Sequence, residues 1–266
     1  MAAKRGFRDA TSRSSREADF HDRRFADSDG IRPASRFYAL TGPSRGEFNA
    51  RNASLPAGCR VLELGCGPDS VAWDLIERGF DVTGIDISAQ AIDRARREAV
   101  RRDIDPSRFV VMNAEALEFP AGSFDAIIGS SILHHLDLEA SLRGIRRVLG
   151  PGGRALFYEP SGRNPMINAY RRLTPQQRSL DERPLTDADL RLLRRTFDHI
   201  RLDHFHLMSL AALALLQTRF FASVSERLER IDQSVFRRIP RLRGLAWIIV
   251  IEARVAEQRD VVSPKP

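Results

Sequence analysis

The stretch Val61-Leu62-Glu63-Leu64-Gly65-Cys66-Gly67-Pro68-Asp69-Ser70 decides the fold of this chain. Its apolar run reads as a short buried strand and its Gly-x-Gly as a tight turn. Val71, Leu75 and Ile76 then suit a helix that begins near Ser70. Strand, glycine turn and helix start together form a crevice for a nucleotide-bearing ligand. Glycine lets a ligand approach the backbone with no Cβ in the way, and a helix start presents free N–H groups. Two features argue against a pyrophosphate in that crevice. Glu63 places an acid two residues before the first glycine, and Ser70 stands where a G-x-G-x-x-G turn has its third glycine.

A second acid lies at a telling distance. Asp81-Val82-Thr83-Gly84-Ile85-Asp86-Ile87-Ser88 reads as another strand, and Asp86 follows Gly65 by 21 residues. An acid about 20 residues on, at the tip of the second strand, chelates ribose hydroxyls. With these residues in hand, Glu63-Leu64-Gly65-Cys66-Gly67 and Gly84-Ile85-Asp86-Ile87-Ser88 together resemble a class I S-adenosylmethionine-dependent methyltransferase of the bacterial small-molecule type. Arg147-Val148-Leu149-Gly150-Pro151-Gly152-Gly153 is similar to that family at the entry to its fifth strand. The resemblance implies S-adenosylmethionine as cofactor, whose ammonium and sulfonium suit an acid-lined glycine turn.

The resemblance also assigns roles at the cofactor. Glu63 holds the methionyl ammonium, directly or through water, and Gly65, Cys66 and Gly67 form the turn beside it. Asp86 takes the ribose hydroxyls and Ile87 an adenine face. Asn113 pairs with the adenine amino group, with the backbone of Ala114 on a ring nitrogen, and Ser130 ends the fourth strand at the same edge. Tyr38 is either a lid residue over the cofactor or a packing residue. Asp69 departs from the family, which commonly has a further glycine there.

Strands are expected near 60–64, 81–85, 108–112, 124–129 and 153–159, and helices near 70–78, 88–102 and 138–149. Gly79 closes the first helix, Ser88 caps the second, and Pro151-Gly152-Gly153 turns the chain into the fifth strand. Alternating strand and helix argue an α/β, doubly wound, mostly parallel sheet. The resemblance makes it Rossmann-like and seven-stranded. Thr186-Asp187-Ala188-Asp189 reads as a capped helix start, and a strand follows near 200–207. Ala246–Arg254 is a buried final strand, which in the family runs antiparallel between its neighbours.

Residues 1–16 read as a disordered tail and 17–266 as one methyltransferase domain. Within it, 17–55 form an N-terminal helical lid with Phe20, Phe25, Phe37 and Tyr38 as anchors. Residues 56–160 form the cofactor-binding core, and 161–185 and 208–244 are substrate or cover insertions, read as helical C-terminal additions in which 207–221 is an apolar helix.

The acceptor side is read from the carboxyl ends of the strands, where open α/β sheets bind ligands. His135, and next to it His134, can take a proton near neutral pH from a hydroxyl acceptor, or else pack and order the loop. Glu159 ends the fifth strand and is either a base or the partner of an arginine in the insertion. Arg163, Asn164, Asn168 and Tyr170 are expected to contact a polar or anionic acceptor. The pattern over 159–185 resembles one bacterial branch of small-molecule methyltransferases and names no substrate. No metal site is expected.

At 266 residues, with 42% apolar and 29% charged residues, the chain is long enough for one full core and has the balance of a globular protein. Its net charge is +7, yet all but Lys4 and Lys265 of the 42 basic residues are arginine, interleaved with acids rather than massed. A nucleic-acid partner is therefore disfavoured. Gly129-Ser130-Ser131-Ile132 also lacks the Asn/Asp-Pro-Pro-aromatic element of base N-methylating relatives. The expected partner is a small-molecule acceptor, methylated on O or N, lipid-like or a natural product. An RNA methyltransferase and a non-catalytic accessory protein are the alternatives. Cys59 and Cys66 are too few for a disulfide framework, no secretory signal is read, and a cytoplasmic setting is expected. No membrane span is read. The apolar stretch 207–221 is read as core, dimer contact or peripheral membrane contact, in a monomer or homodimer.

Overall fold

A computed structural model describes residues 13–23, 35–67, 70–174 and 182–257. Seven strands form one sheet: β1 Arg60–Leu64, β2 Asp81–Asp86, β3 Phe109–Val111, β4 Phe124–Ser130, β5 Leu149–Pro160, β6 His199–Phe205 and β7 Ile248–Arg254. Their order is β3-β2-β1-β4-β5-β7-β6. The first five pair in parallel, and β7 runs antiparallel between β5 and β6. This is the doubly wound seven-stranded sheet with a reversed last strand that the sequence predicts.

Period-two side-chain alternation divides the core between the two faces of the sheet. Val61, Ala126, Ile128, Leu156 and Val250 face one cluster, and Leu62, Leu64, Ile127, Phe157 and Ile251 face the other. Helices α1 (residues 13–23), α2 (Ser35–Tyr38), α3 (Gly42–Ala53), α4 (Ala72–Glu77) and α5 (Ala89–Arg101) precede the third strand. Helices α6 (Leu138–Val148), α7 (Pro165–Leu173), α8 (Asp187–Thr196) and α9 (Phe221–Arg238) follow the fourth. Phe48 of α3, Trp73 of α4 and Ile92, Ala95 and Ala99 of α5 fill the first cluster. Leu138, Leu142, Ile145 and Val148 of α6 and Leu193 of α8 fill the second, at i, i+4, i+7 spacing in α6. Each fully buried Leu or Ile contributes about 1.5–3 kcal/mol.

The expected punctuation is present. Gly79 ends α4 at φ +84°, and Ser88 accepts the Ala91 N–H at the start of α5. Thr186 and Asp189 form a reciprocal capping box on α8.

Three local expectations change. β5 begins at Leu149 rather than near 153, because Gly152 at φ +71° lets the strand bulge where a turn is expected. The helix α1 starts at residue 13, inside the stretch read as tail; residues 1–12, Phe25 and Asp69 lie outside the described residues. The apolar stretch 207–221 is not one long helix: it holds a 3-10 segment, Ser209–Leu215, before α9. Asp232 of α9 draws the chain into that shape by accepting the N–H groups of Leu207, Met208 and Ser209. Leu210 and Ala212 are buried there, while Met208 and Phe220 are exposed. Among the described residues no helix is long and apolar enough to cross a membrane.

Candidate active site

A cleft of about 490 Å³ opens at the carboxyl ends of β1, β2 and β4, at the switch point where the strand order reverses. Glu63, Gly65, Cys66, Gly67, Asp86, Ile87, Asn113, Ala114, Ser130 and Tyr38 all line it. Gly65 and Gly67 adopt φ +65° and +51°, so both turn glycines use backbone that L side chains avoid. A Cβ on Gly65 would also lie 2.8 Å from Ile132 Cδ1. Ile132 thereby seals the loop after β4 against the glycine turn.

Glu63 is buried and bound to the start of α4. The Ser70 hydroxyl donates to its carboxylate, and the N–H groups of Val71 and Ala72 donate at 3.0 and 3.2 Å. Ser70, standing where the longer glycine motif has glycine, supplies a donor that glycine lacks. Burial pushes the Glu63 carboxyl up to about 7 against these hydrogen bonds, and nearby Asp86 adds to the rise. Asp86 accepts the N–H of Gly67 at 3.0 Å and of Ser88 at 2.9 Å. Burial raises its pKa too, with the same two N–H groups opposing. Two buried acids of raised pKa favour a ligand that brings positive charge and hydroxyl donors.

Asn113 Oδ1 accepts the Glu115 N–H at 2.9 Å, which fixes the end of β3 beside the cleft. Its Nδ2 lies 3.2 Å from Ser14 Oγ on α1. Cys66 is buried, and burial pushes its thiol well above the ordinary range, which leaves it an inert packing group.

Past β4 the chain turns sharply, with Ser131 at φ +58°. His135 lines the cleft; His134 and Glu159 do not. Glu159 is fully buried and its oxygens are committed. Oε1 accepts the N–H groups of Ile132 and Leu133 at 2.9 and 2.8 Å, and Oε2 lies 2.7 Å from His134 Nδ1. Neither an acceptor-facing base nor a partner for an insertion arginine, Glu159 folds the loop that presents His135. Burial lowers the His135 pKa, and neighbouring His134 lowers it further, while Glu17 opposes. A neutral imidazole at the cleft wall results.

The helix α1 lies across the mouth of the cleft. Arg13 donates to the His135 carbonyl at 2.6 Å, and Glu17 Oε2 lies 3.2 Å from His135 Nδ1. Asp22 accepts from the Ser88 hydroxyl and the Gln90 N–H. Ser14, Glu17 and His21 line the cleft with Arg45 of α3, and none is singled out by the sequence reading. The Glu17–His21 pair at i, i+4 was the available signal, since such spacing puts both side chains on one helix face.

The four acceptor candidates of the insertion are not among the cleft's lining residues. Asn164 caps α7: its Oδ1 accepts the Ile167 N–H and its Nδ2 donates to the Leu245 carbonyl, at 1% exposure. Asn168 donates to the Gly162 carbonyl at 2.8 Å. Arg163 pairs with Asp187 at 2.6 Å, and the Tyr170 ring packs against Phe37 at 4.6 Å. The polar atoms of Asn164 and Asn168 hold the segment together and pin it to the last strand's approach, and Arg163 ties it to α8.

The lining residues fit a nucleoside ligand with a cationic tail. Acids stand at both the turn and the tip of β2, the turn backbone is open, and the volume lies in the range of small-ligand sites. The family model for a methyltransferase domain matches residues 62–157. An S-adenosyl-L-methionine-dependent Diels-Alderase of Talaromyces variabilis is 40% identical over 130 residues, 46% of this chain and 44% of that protein. A ubiquinone biosynthesis O-methyltransferase of Nitrosococcus oceani is 34% identical over 116 residues, 43% of this chain and 49% of that one. The aligned stretch thus spans about half the length of these curated relatives. The fold matches Haemonchus contortus phosphoethanolamine N-methyltransferase 2 with a TM-score of 0.61 at 20% identity, over 91% of this chain and 60% of that one.

Proposed function

We propose, from the premise that residues 62–157 are a class I S-adenosylmethionine-dependent methyltransferase domain, that this chain transfers a methyl group to an oxygen or nitrogen of a small molecule. The observation that carries the reading is the convergence of Glu63, Gly65, Gly67, Asp86 and Asn113 on one cleft whose far wall bears His135. When bound, the cofactor supplies an electrophilic methyl on sulfur.

This chain's own residues bind, orient and exclude water. Glu63 would hold the ammonium end, directly or through water, and Gly65 and Gly67 let that end reach the backbone. Asp86 would hold the ribose hydroxyls, Ile87 an adenine face, and Asn113 with the Ala114 backbone the adenine edge. Tyr38 and α1 cover the opening and keep water from the reacting atoms. His135, with Nδ1 hydrogen-bonded to Glu17, keeps Nε2 for the proton of a hydroxyl acceptor. An amine acceptor needs only to arrive neutral.

A second reading has one specific support. The relative named as a Diels-Alderase requires the same cofactor by its printed name, so the chain could use the cofactor to shape a cleft for cyclisation. Incubating the protein with methyl-labelled cofactor and a panel of hydroxylated and amino natural-product and lipid-like acceptors, with RNA alongside, separates the two. Label in the product supports methyl transfer. Cofactor-dependent product of unchanged mass supports cyclisation, and label in RNA alone overturns the small-molecule reading.

A further inference from the structure

We propose that Glu17, His21 and His135 form a binding site for a divalent transition-metal ion of the zinc class, which locks α1 over the cleft. The donors come from two separate elements: Glu17 and His21 from one face of α1, His135 from the loop after β4. The ligand atoms of all three lie within 4.8 Å of one another.

Two of the three ligand–ligand distances are close to the edges of a coordination polyhedron. Glu17 Oε2 lies 3.2 Å from His135 Nδ1 and 3.6 Å from His21 Nε2. A tetrahedral ion with bonds of 2.0–2.1 Å has ligand atoms about 3.3–3.5 Å apart. One carboxylate oxygen therefore faces two imidazole nitrogens at the edges such an ion needs. The rings of His21 and His135 stand nearly edge to face, with centroids 5.3 Å apart, so the nitrogens converge without the rings colliding. Two imidazoles and a carboxylate suit zinc and its neighbours, and three protein ligands leave a position open.

The setting favours a cation. Asp22 and Asp86 lie near His21, and Arg13, on the same helix, is engaged by the His135 carbonyl and by Glu115 at 3.6 Å. A second cluster, His134, His135 and Glu182, shares one member. His134 Nδ1 is held by Glu159 and Glu182 is held by Arg171 at 2.7 Å. Ligation there would break both.

All three ligands line the same cleft as Asp86 and Asn113. Three protein ligands would leave such an ion room for a further oxygen ligand from the cleft. The ion would also tie α1 to the loop after β4, and so hold the helix in the place it already takes across the cleft. His135 then serves as ligand when the ion is present and as proton acceptor when it is absent. That second role rests on the methyl-transfer reading; the metal site does not.

The test is titration of the full chelator-treated chain with Co²⁺, followed by its visible ligand-field absorption, with Zn²⁺ as competitor. One Co²⁺ per chain, displaced by Zn²⁺, is expected. Glu17→Gln, His21→Ala and His135→Gln each weaken binding at least about tenfold, the scale on which even supporting residues change metal affinity. Glu182→Gln and His204→Ala leave it within about twofold. Glu17 and His21 lie outside the sheet, so their variants keep the fold if the His135 variant does not, and circular dichroism checks each. Absence of saturable Co²⁺ binding overturns the proposal. So does binding that falls with Glu182→Gln and survives Glu17→Gln and His21→Ala. The titration contains neither cofactor nor acceptor, so its failure leaves the methyl-transfer reading standing.

Discussion

Asp86 accepts the Gly67 N–H at 3.0 Å, which joins the acid at the tip of β2 to the glycine turn after β1. The two halves of the cofactor cleft are thus one hydrogen-bonded unit, and the acid positions the turn before any ligand arrives. The Ser88 N–H holds the other oxygen at 2.9 Å, so the carboxylate is aimed from both sides.

Replacing Asp86 by Ala should therefore act twice. It removes the acceptor of two buried N–H groups and, on the proposed function, the partner of the ribose hydroxyls. S-adenosylhomocysteine binding should weaken by about 1.5–3 kcal/mol, the scale of hydrogen bonds to a charged group, and the melting temperature should fall. Calorimetry and a thermal melt check both. Unchanged affinity in a folded variant would remove Asp86 from the site.

Glu63 sets a pH dependence. Its folded pKa of about 7 lies above the ordinary 4.5, so the folded chain holds this proton more tightly than the unfolded chain. The favourable contribution is fully present below pH 4.5 and is lost as pH rises through 7, with a span on the order of 3 kcal/mol. Glu63→Gln should flatten the stability profile between pH 4.5 and 7 in denaturant titrations of the ligand-free chain. An identical slope in the variant would show that the group does not titrate there.

Asn164 should behave as a structural residue. Asn164→Ala removes the cap of α7 and the bond to the Leu245 carbonyl, at a cost of about 1–2 kcal/mol. Cofactor affinity and acceptor KM should be unchanged. A raised acceptor KM with unaltered stability would restore the recognition role read from the sequence.

Glu159 should fail through folding rather than chemistry. Glu159→Ala leaves the Ile132 and Leu133 N–H groups and His134 without their partner, each at about 1–3 kcal/mol. Glu159→Gln keeps an acceptor for the N–H groups and should retain most turnover per folded chain. Full loss of turnover in a stable Glu159→Gln protein would place the carboxylate in the reaction.

The legible parts of the site were those fixed by local backbone demands. Gly65, Gly67 and Asp86 could be found because a positive φ and a strand-end acid leave marks in sequence at fixed spacing. The role of α1 could not, since Glu17 and His21 gain meaning only where the helix docks against His135. The structural part played by the insertion is harder to read for a different reason. Arg, Asn and Tyr suit recognition by residue type, while Asn164-Pro165 also carries the signature of an N-cap followed by a first-turn proline. His134 and Glu159 were expected at the acceptor, and tertiary pairing turned each toward the other.

On the proposed function, the cleft between Glu63 and Asp86 is built for a cationic nucleoside. Isothermal calorimetry of the purified chain with S-adenosylmethionine and with NAD tests it most directly. Saturable one-to-one binding of S-adenosylmethionine, lost or strongly weakened in Asp86→Ala, with no comparable heat from NAD, is the predicted result. Tight NAD binding, or no S-adenosylmethionine binding by the folded chain, would contradict it.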